Sequence, residues 1–100
     1  MKTYRQGDVL LVEINKLPKN LKEKDKTIAY GEITGHHHRF KSKQVQVFVD
    51  DENQQFVQIK KPSKLVHEEH SELEIPKGDF KVILQREYDI LEENIRQVLD

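Results

Sequence analysis

Gln44-Val45-Gln46-Val47-Phe48-Val49 and Phe56-Val57-Gln58-Ile59, joined by Asp50-Asp51-Glu52-Asn53-Gln54-Gln55, decide the fold class. Valines 45, 47 and 49 alternate with Gln44, Gln46 and Phe48, and Val57 and Ile59 alternate with Phe56 and Gln58. Alternation at a period of two belongs to a strand with one face on a core. The polar stretch between the two runs reads as a turn, so the segment predicts a β-hairpin.

Working outward, the same reading extends to most of the chain. Val9-Leu10-Leu11-Val12-Glu13-Ile14 predicts a strand buried on both faces at its start, preceded by the turn residues Gln6-Gly7-Asp8. Residues 15–27 form a lysine-rich polar loop carrying Lys16, Lys19, Lys22, Lys24 and Lys26. Residues 27–33 predict a second strand, with Gly31 as a candidate bulge, and 36–41 a short third one. Residues 65–67 and Leu73-Glu74-Ile75 are further short strands. Pro76-Lys77-Gly78-Asp79 is a strong turn before Phe80, Val82 and Leu84, which again alternate. The period then changes. Asp89-Ile90-Leu91-Glu92 has the form of a capping box, and Leu91, Ile95 and Val98 follow at helical spacing, with a closing strand over 96–100 as the alternative. About seven short strands and a brief helix predict a mainly β domain spanning 1–100. Its expected form is a small compact barrel or rolled β-sandwich with a short C-terminal helix. Val9, Leu11, Val45, Val47, Val57, Ile59, Phe80, Val82 and Leu84 should be its core.

The composition narrows the function. One hundred residues suffice for one modest core. With charged and hydrophobic residues each at 35% and a net charge of −1, the chain has no global basic field to draw nucleic acid; only the lysine loop offers phosphate contacts. The sequence contains no cysteine, which excludes disulfides, thiolate metal sites and cysteine nucleophiles and fits a reducing compartment. The longest apolar run, 9–12, is too short to span a bilayer, and the opening residues do not read as a signal peptide. The expectation is a cytoplasmic protein with no membrane partner.

Histidine carries the chemical signal. All five histidines fall in two clusters, His36-His37-His38 and His67-Glu68-Glu69-His70. Protonating all five would turn the net charge from −1 to +4. On an extended segment His36 and His38 share a face and His37 takes the other. In the second cluster His67 and Glu69 share a face if it is a strand, His67 and His70 if it turns. The spacing is shorter than that of the helical His-Glu-x-x-His zinc-protease motif. Taken together, His36, His38, His67, Glu69 and His70 form a candidate divalent-metal site with nitrogen and oxygen donors, suited to zinc, nickel, iron or manganese. A metal-free alternative uses His38 and His67 as acid and base to cleave RNA through its 2′-hydroxyl. Arg39, Lys41 or Arg86 would stabilise charge there, and Tyr88 would assist. A third reading is a non-catalytic interaction or accessory protein whose histidines are structural. Arg86 has its own bland reading, a salt bridge to Glu32, Glu68 or Glu69. Gly7-Asp8 reads as a turn without chemistry, and no glycine loop or fingerprint of a nucleotide cofactor is present.

The combination Tyr-Arg-Gln-Gly-Asp-Val-Leu-Leu (4–11), Gly-Glu-Ile-Thr-Gly-His-His-His (31–38), His-Glu-Glu-His (67–70), Ile-Pro-Lys-Gly (75–78) and Gln-Arg-Glu-Tyr (85–88) resembles an uncharacterised family of small bacterial and phage proteins. The resemblance covers nearly the whole chain and implies no particular activity. A looser likeness is to the cupins, small β-barrels whose first motif contains His-x-His and whose second contains Pro-x-Gly. Pro76-Lys77-Gly78 is similar to the latter, but no glutamate lies three or four residues beyond His38.

Overall fold

The computed structural model describes residues 2–30 and 36–85. These form ten strands: β1 (Thr3–Gln6), β2 (Val9–Ile14), β3 (Lys22–Lys24), β4 (Thr27–Tyr30), β5 (His37–Phe40), β6 (Val45–Val49), β7 (Gln55–Ile59), β8 (Ser63–Val66), β9 (Leu73–Ile75) and β10 (Gly78–Leu84). They pair into two antiparallel sheets, one of six strands in the order β1-β2-β10-β7-β6-β3 and one of four in the order β4-β5-β8-β9.

The valine-rich hairpin is β6–β7. Val45 faces Ile59 and Val47 faces Val57. Its turn is built by Asp50, whose Oδ1 accepts the amides of Glu52 (2.8 Å) and Gln54 (2.9 Å), while Asn53 takes a left-handed conformation at φ 64°. Asparagine tolerates that region better than most residues. Register then carries the apolar face across the larger sheet: Val57 opposes Phe80 on β10, and Val82 opposes Leu11 on β2. The smaller sheet presents Phe40 opposite Leu65 and Ser63 opposite Ile75.

One apolar cluster joins the inner faces of both sheets, with Val57 and Phe80 from the larger and Ile28, Phe40, Leu65 and Ile75 from the smaller. Eight of the nine expected core residues are buried, and Leu84 packs against the cluster half-buried. Excluding this much apolar side chain from water supplies the main driving force for folding.

Among the described residues the expected closed barrel does not form. The chain changes sheets at four corners (between β3 and β4, β5 and β6, β7 and β8, β9 and β10), but the pairing closes neither sheet on itself. Each end strand of the two sheets is only three or four residues long, and no pairing joins β1 to β3 or β4 to β9. Within the lysine-rich segment 15–27, Lys22–Lys24 adds to β6 as an edge. Thr3–Gln6, ahead of the predicted turn, is a strand paired with β2. No helix occurs among the described residues, and none there is long and apolar enough to cross a membrane. The predicted C-terminal helix, Gly31 and the far end of the 27–33 strand lie outside the described residues.

Candidate functional site

β5 delivers the first histidines. Strand alternation turns His38 and Phe40 inward, and His38 is only 4% exposed. His37 faces outward, stacked on Tyr30 with ring centroids 5.8 Å apart, its Nδ1 3.3 Å from Glu68 Oε1. His36 precedes the strand and approaches the His67 ring edge-on at 5.7 Å. The second cluster follows β8 directly. Residues 68–70 bend, which brings the His67 and His70 rings within 4.6 Å. His67 lies 4.3 Å from the His38 ring, and His70 stacks 5.7 Å from it. The two clusters thus converge. Ligand atoms of His38, His67 and His70 lie within 4.8 Å of one another and could hold a metal ion; His36, His67 and Glu68 form a second such group. Glu69 pairs instead with His36, Oε1 to Nδ1 at 3.3 Å.

Hydrogen bonding sets the His38 tautomer. The buried Gln6 amide donates through Nε2 to the carbonyls of Leu65 (2.8 Å) and Ser71 (2.9 Å), so its Oε1 is the atom facing His38 Nδ1 at 2.8 Å. An oxygen acceptor there requires a proton on Nδ1. The remaining nitrogen, Nε2, lies 3.0 Å from Asp8 Oδ1. Burial pushes the His38 pKa down to about 4, helped by the neighbouring His67, while the Asp8 carboxylate opposes the shift and loses. At neutral pH the Nε2 lone pair therefore confronts a carboxylate oxygen.

His67 has the opposite arrangement. Its Nδ1 accepts the backbone N–H groups of Glu69 (3.0 Å) and His70 (3.3 Å), which places the proton of the neutral ring on Nε2. Burial lowers its pKa as well, with His70 adding to the effect. Glu68 is held by the His37 N–H (2.9 Å) and Arg39 Nη1 (2.7 Å), and the His37 amide is the main reason its pKa falls to about 2. Above the cluster, Gly7 adopts φ +59°, and a Cβ there would stand 2.5 Å from His70 Nε2. The glycine serves both the turn and the close approach of the ring.

Gln6, Asp8 and Glu68 were not among the ligand residues expected from sequence. Gln6-Gly7-Asp8 has the composition of an ordinary turn, and its position against the histidines depends on β1–β2 pairing across the sheet. The candidates Arg86 and Tyr88, with Glu32, lie outside the described residues. Arg39 is engaged by Glu68.

No curated protein and no solved structure matches the chain. Residues 5–85 match the family described as Domain of unknown function (DUF8820), and the span takes in both histidine clusters together with Gln6, Gly7 and Asp8. With that match covering most of its length, the chain belongs to the DUF8820 family.

Proposed function

We propose that the protein binds a divalent transition metal through His38, His67 and His70, with Asp8 as the adjoining carboxylate, in a reducing, cytoplasmic compartment. The observation that carries this reading is the contact between His38 Nε2 and Asp8 Oδ1 at 3.0 Å. Both atoms are acceptors once Gln6 has claimed the Nδ1 proton, so a positive charge between them relieves their repulsion. A proton could fill that role, but burial disfavours the imidazolium. Ligands about 2.0 Å from a tetrahedral ion stand about 3.3 Å apart, close to the observed separation. Gln6 then acts as the outer partner that orients a metal-binding imidazole. Three imidazoles and a carboxylate suit zinc, and nickel, iron or manganese are compatible with the same donors. With Asp8 as the proposed fourth donor beside three imidazoles, no position would be left for a substrate, which makes retention of the metal the proposed activity. The acid–base alternative is less favoured, because it needs one protonated imidazole near neutral pH and both His38 and His67 are shifted against protonation.

Elemental analysis of untagged protein, followed by zinc titration of the stripped chain, tests the reading. One tightly bound ion per chain is expected, with affinity reduced about tenfold or more by Asp8→Asn. Zinc-free protein that also fails to bind micromolar zinc would refute it.

A further inference from the structure

We propose that His36, His67 and Glu68 form a second, outer metal site that passes a divalent ion to the His38 cluster through the shared His67 ring. The inference rests on the metal-binding reading above. The two ligand groups have one residue in common, since His67 belongs to each. Its ring is in contact distance of both neighbours, 5.7 Å from His36 and 4.3 Å from His38 between centroids. The groups differ in exposure and in donor chemistry. His36 and Glu68 keep 29% and 31% of their side chains in contact with solvent, against 5% for His38. The outer group contains Glu68 and has the Glu69 carboxylate 3.3 Å from His36, so it is rich in oxygen; the inner one is rich in imidazole. Nitrogen donors bind zinc and its neighbours in the series more firmly than carboxylates do, so the gradient runs inward from solvent.

One feature weakens the outer site, and a second loosens the ring that it shares with the inner one. Glu68 is already held by Arg39 at 2.7 Å and by the His37 amide at 2.9 Å, so an incoming ion competes with a cation for the same carboxylate. His67 must also change state to ligate. Binding through Nε2 displaces that nitrogen's proton to Nδ1 and costs the two amide bonds from Glu69 and His70. A ligand held this loosely, standing between an exposed group and a buried one, is suited to exchange. His38, whose lone pair is already exposed to the inner site by Gln6, requires no such change.

The test uses the full, untagged, metal-stripped chain and zinc alone, with chelator competition for affinity and stopped-flow chelator exchange for loading. A neutral imidazole offers one lone pair, so an ion in the inner site takes His67 and leaves His36 and Glu68 to the outer one. Wild type should therefore bind one ion tightly and a second at least about tenfold more weakly, the scale of effect seen when ligand support is lost. His36→Ala and Glu68→Gln should each abolish the weak class and slow loading of the tight one about tenfold, with its equilibrium affinity unchanged. His38→Ala should do the reverse, removing the tight class and keeping the weak one. Circular dichroism checks that each variant retains the β fold. A single tight class in wild type, with normal loading in His36→Ala and Glu68→Gln, would overturn the outer site and leave the inner one standing. Loss of tight binding in His36→Ala would also overturn it, because the two groups would then be one. Failure of wild type to bind zinc at all would sink the metal reading itself.

Discussion

Replacing Gln6 with alanine should be among the most costly single changes near the histidines. The side chain is 4% exposed and makes three hydrogen bonds of 2.8–2.9 Å, two to carbonyls and one from His38 Nδ1. Ser71 is exposed, so water can replace the bond to its carbonyl; Leu65 and His38 are buried and cannot be compensated so easily. Two buried polar groups left without partners cost about 1–3 kcal/mol each, so the loss should be about 3 kcal/mol. For a domain of this size that corresponds to a fall in Tm on the order of 15 °C. Gln6→Glu provides the chemical contrast. A carboxylate still accepts from His38 but faces two carbonyls it cannot donate to, so it should be at least as damaging. Urea denaturation of chelator-treated protein measures the stability. Nitrogen-15 NMR of His38 reads the tautomer, expected as Nδ1–H in wild type and mixed in Gln6→Ala. A loss below about 1 kcal/mol, or an Nε2–H tautomer in wild type, would refute the assigned network and the site logic resting on it.

Further expectations concern pH, metal and packing. In chelator, His38 titrates near 6.5 unfolded and about 4 folded, so the unfolded chain binds more protons between those values and stability rises with pH. Its contribution is fully present above 6.5 and lost as pH falls from 6.5 through about 4, at most about 3 kcal/mol; His38→Gln should flatten that limb of the urea-midpoint profile. Zinc at a hundred times the dissociation constant of the tight site should add about 2.7 kcal/mol through that site, reversibly with chelator, and in His38→Ala, where only the weaker outer group remains, the gain should fall to about 1.4 kcal/mol or less. Gly7→Ala should cost about 1–3 kcal/mol from its left-handed backbone and shift the His70 resonances, because the new methyl occupies the place of that ring. Phe80→Ala, at a fully buried position in the shared cluster, should cost about 3–5 kcal/mol and lower a single thermal transition; two separated transitions would show that the sheets do not share one core.

The hairpin, the β10 run and most of the core were legible because burial on one face of a strand leaves a period of two, visible at Val45, Val47, Phe80 and Val82. β1 and β3 were not: Thr3–Gln6 and Lys22–Lys24 lack that pattern, and their strand state comes from a partner to pair with. The sheet count was also hidden, because nothing local in the segments 41–44 or 60–62 announces a change of sheet. At the site, the split between His38 and His37 follows from strand parity. The approach of His67 depends on β5–β8 pairing, and the choice of Glu68 over Glu69 on the bend at 68–70. Gln6 and Asp8 escaped notice because turn residues and ligand supports share a composition.

Among the described residues the two sheets have four edges, and short, charged chain guards three of them. β3 is Lys22-Glu23-Lys24, β1 carries Arg5, and β9 places Glu74 between its two apolar residues. An unpaired strand edge is a template for another molecule, and charge or brevity spoils that template. The lysines of the 15–27 segment thus have a use independent of any ligand: they discourage growth along the β6 side of the larger sheet. Lys22 and Lys24 replaced together by threonine should leave the monomer folded but promote its association into β-rich aggregates as concentration rises.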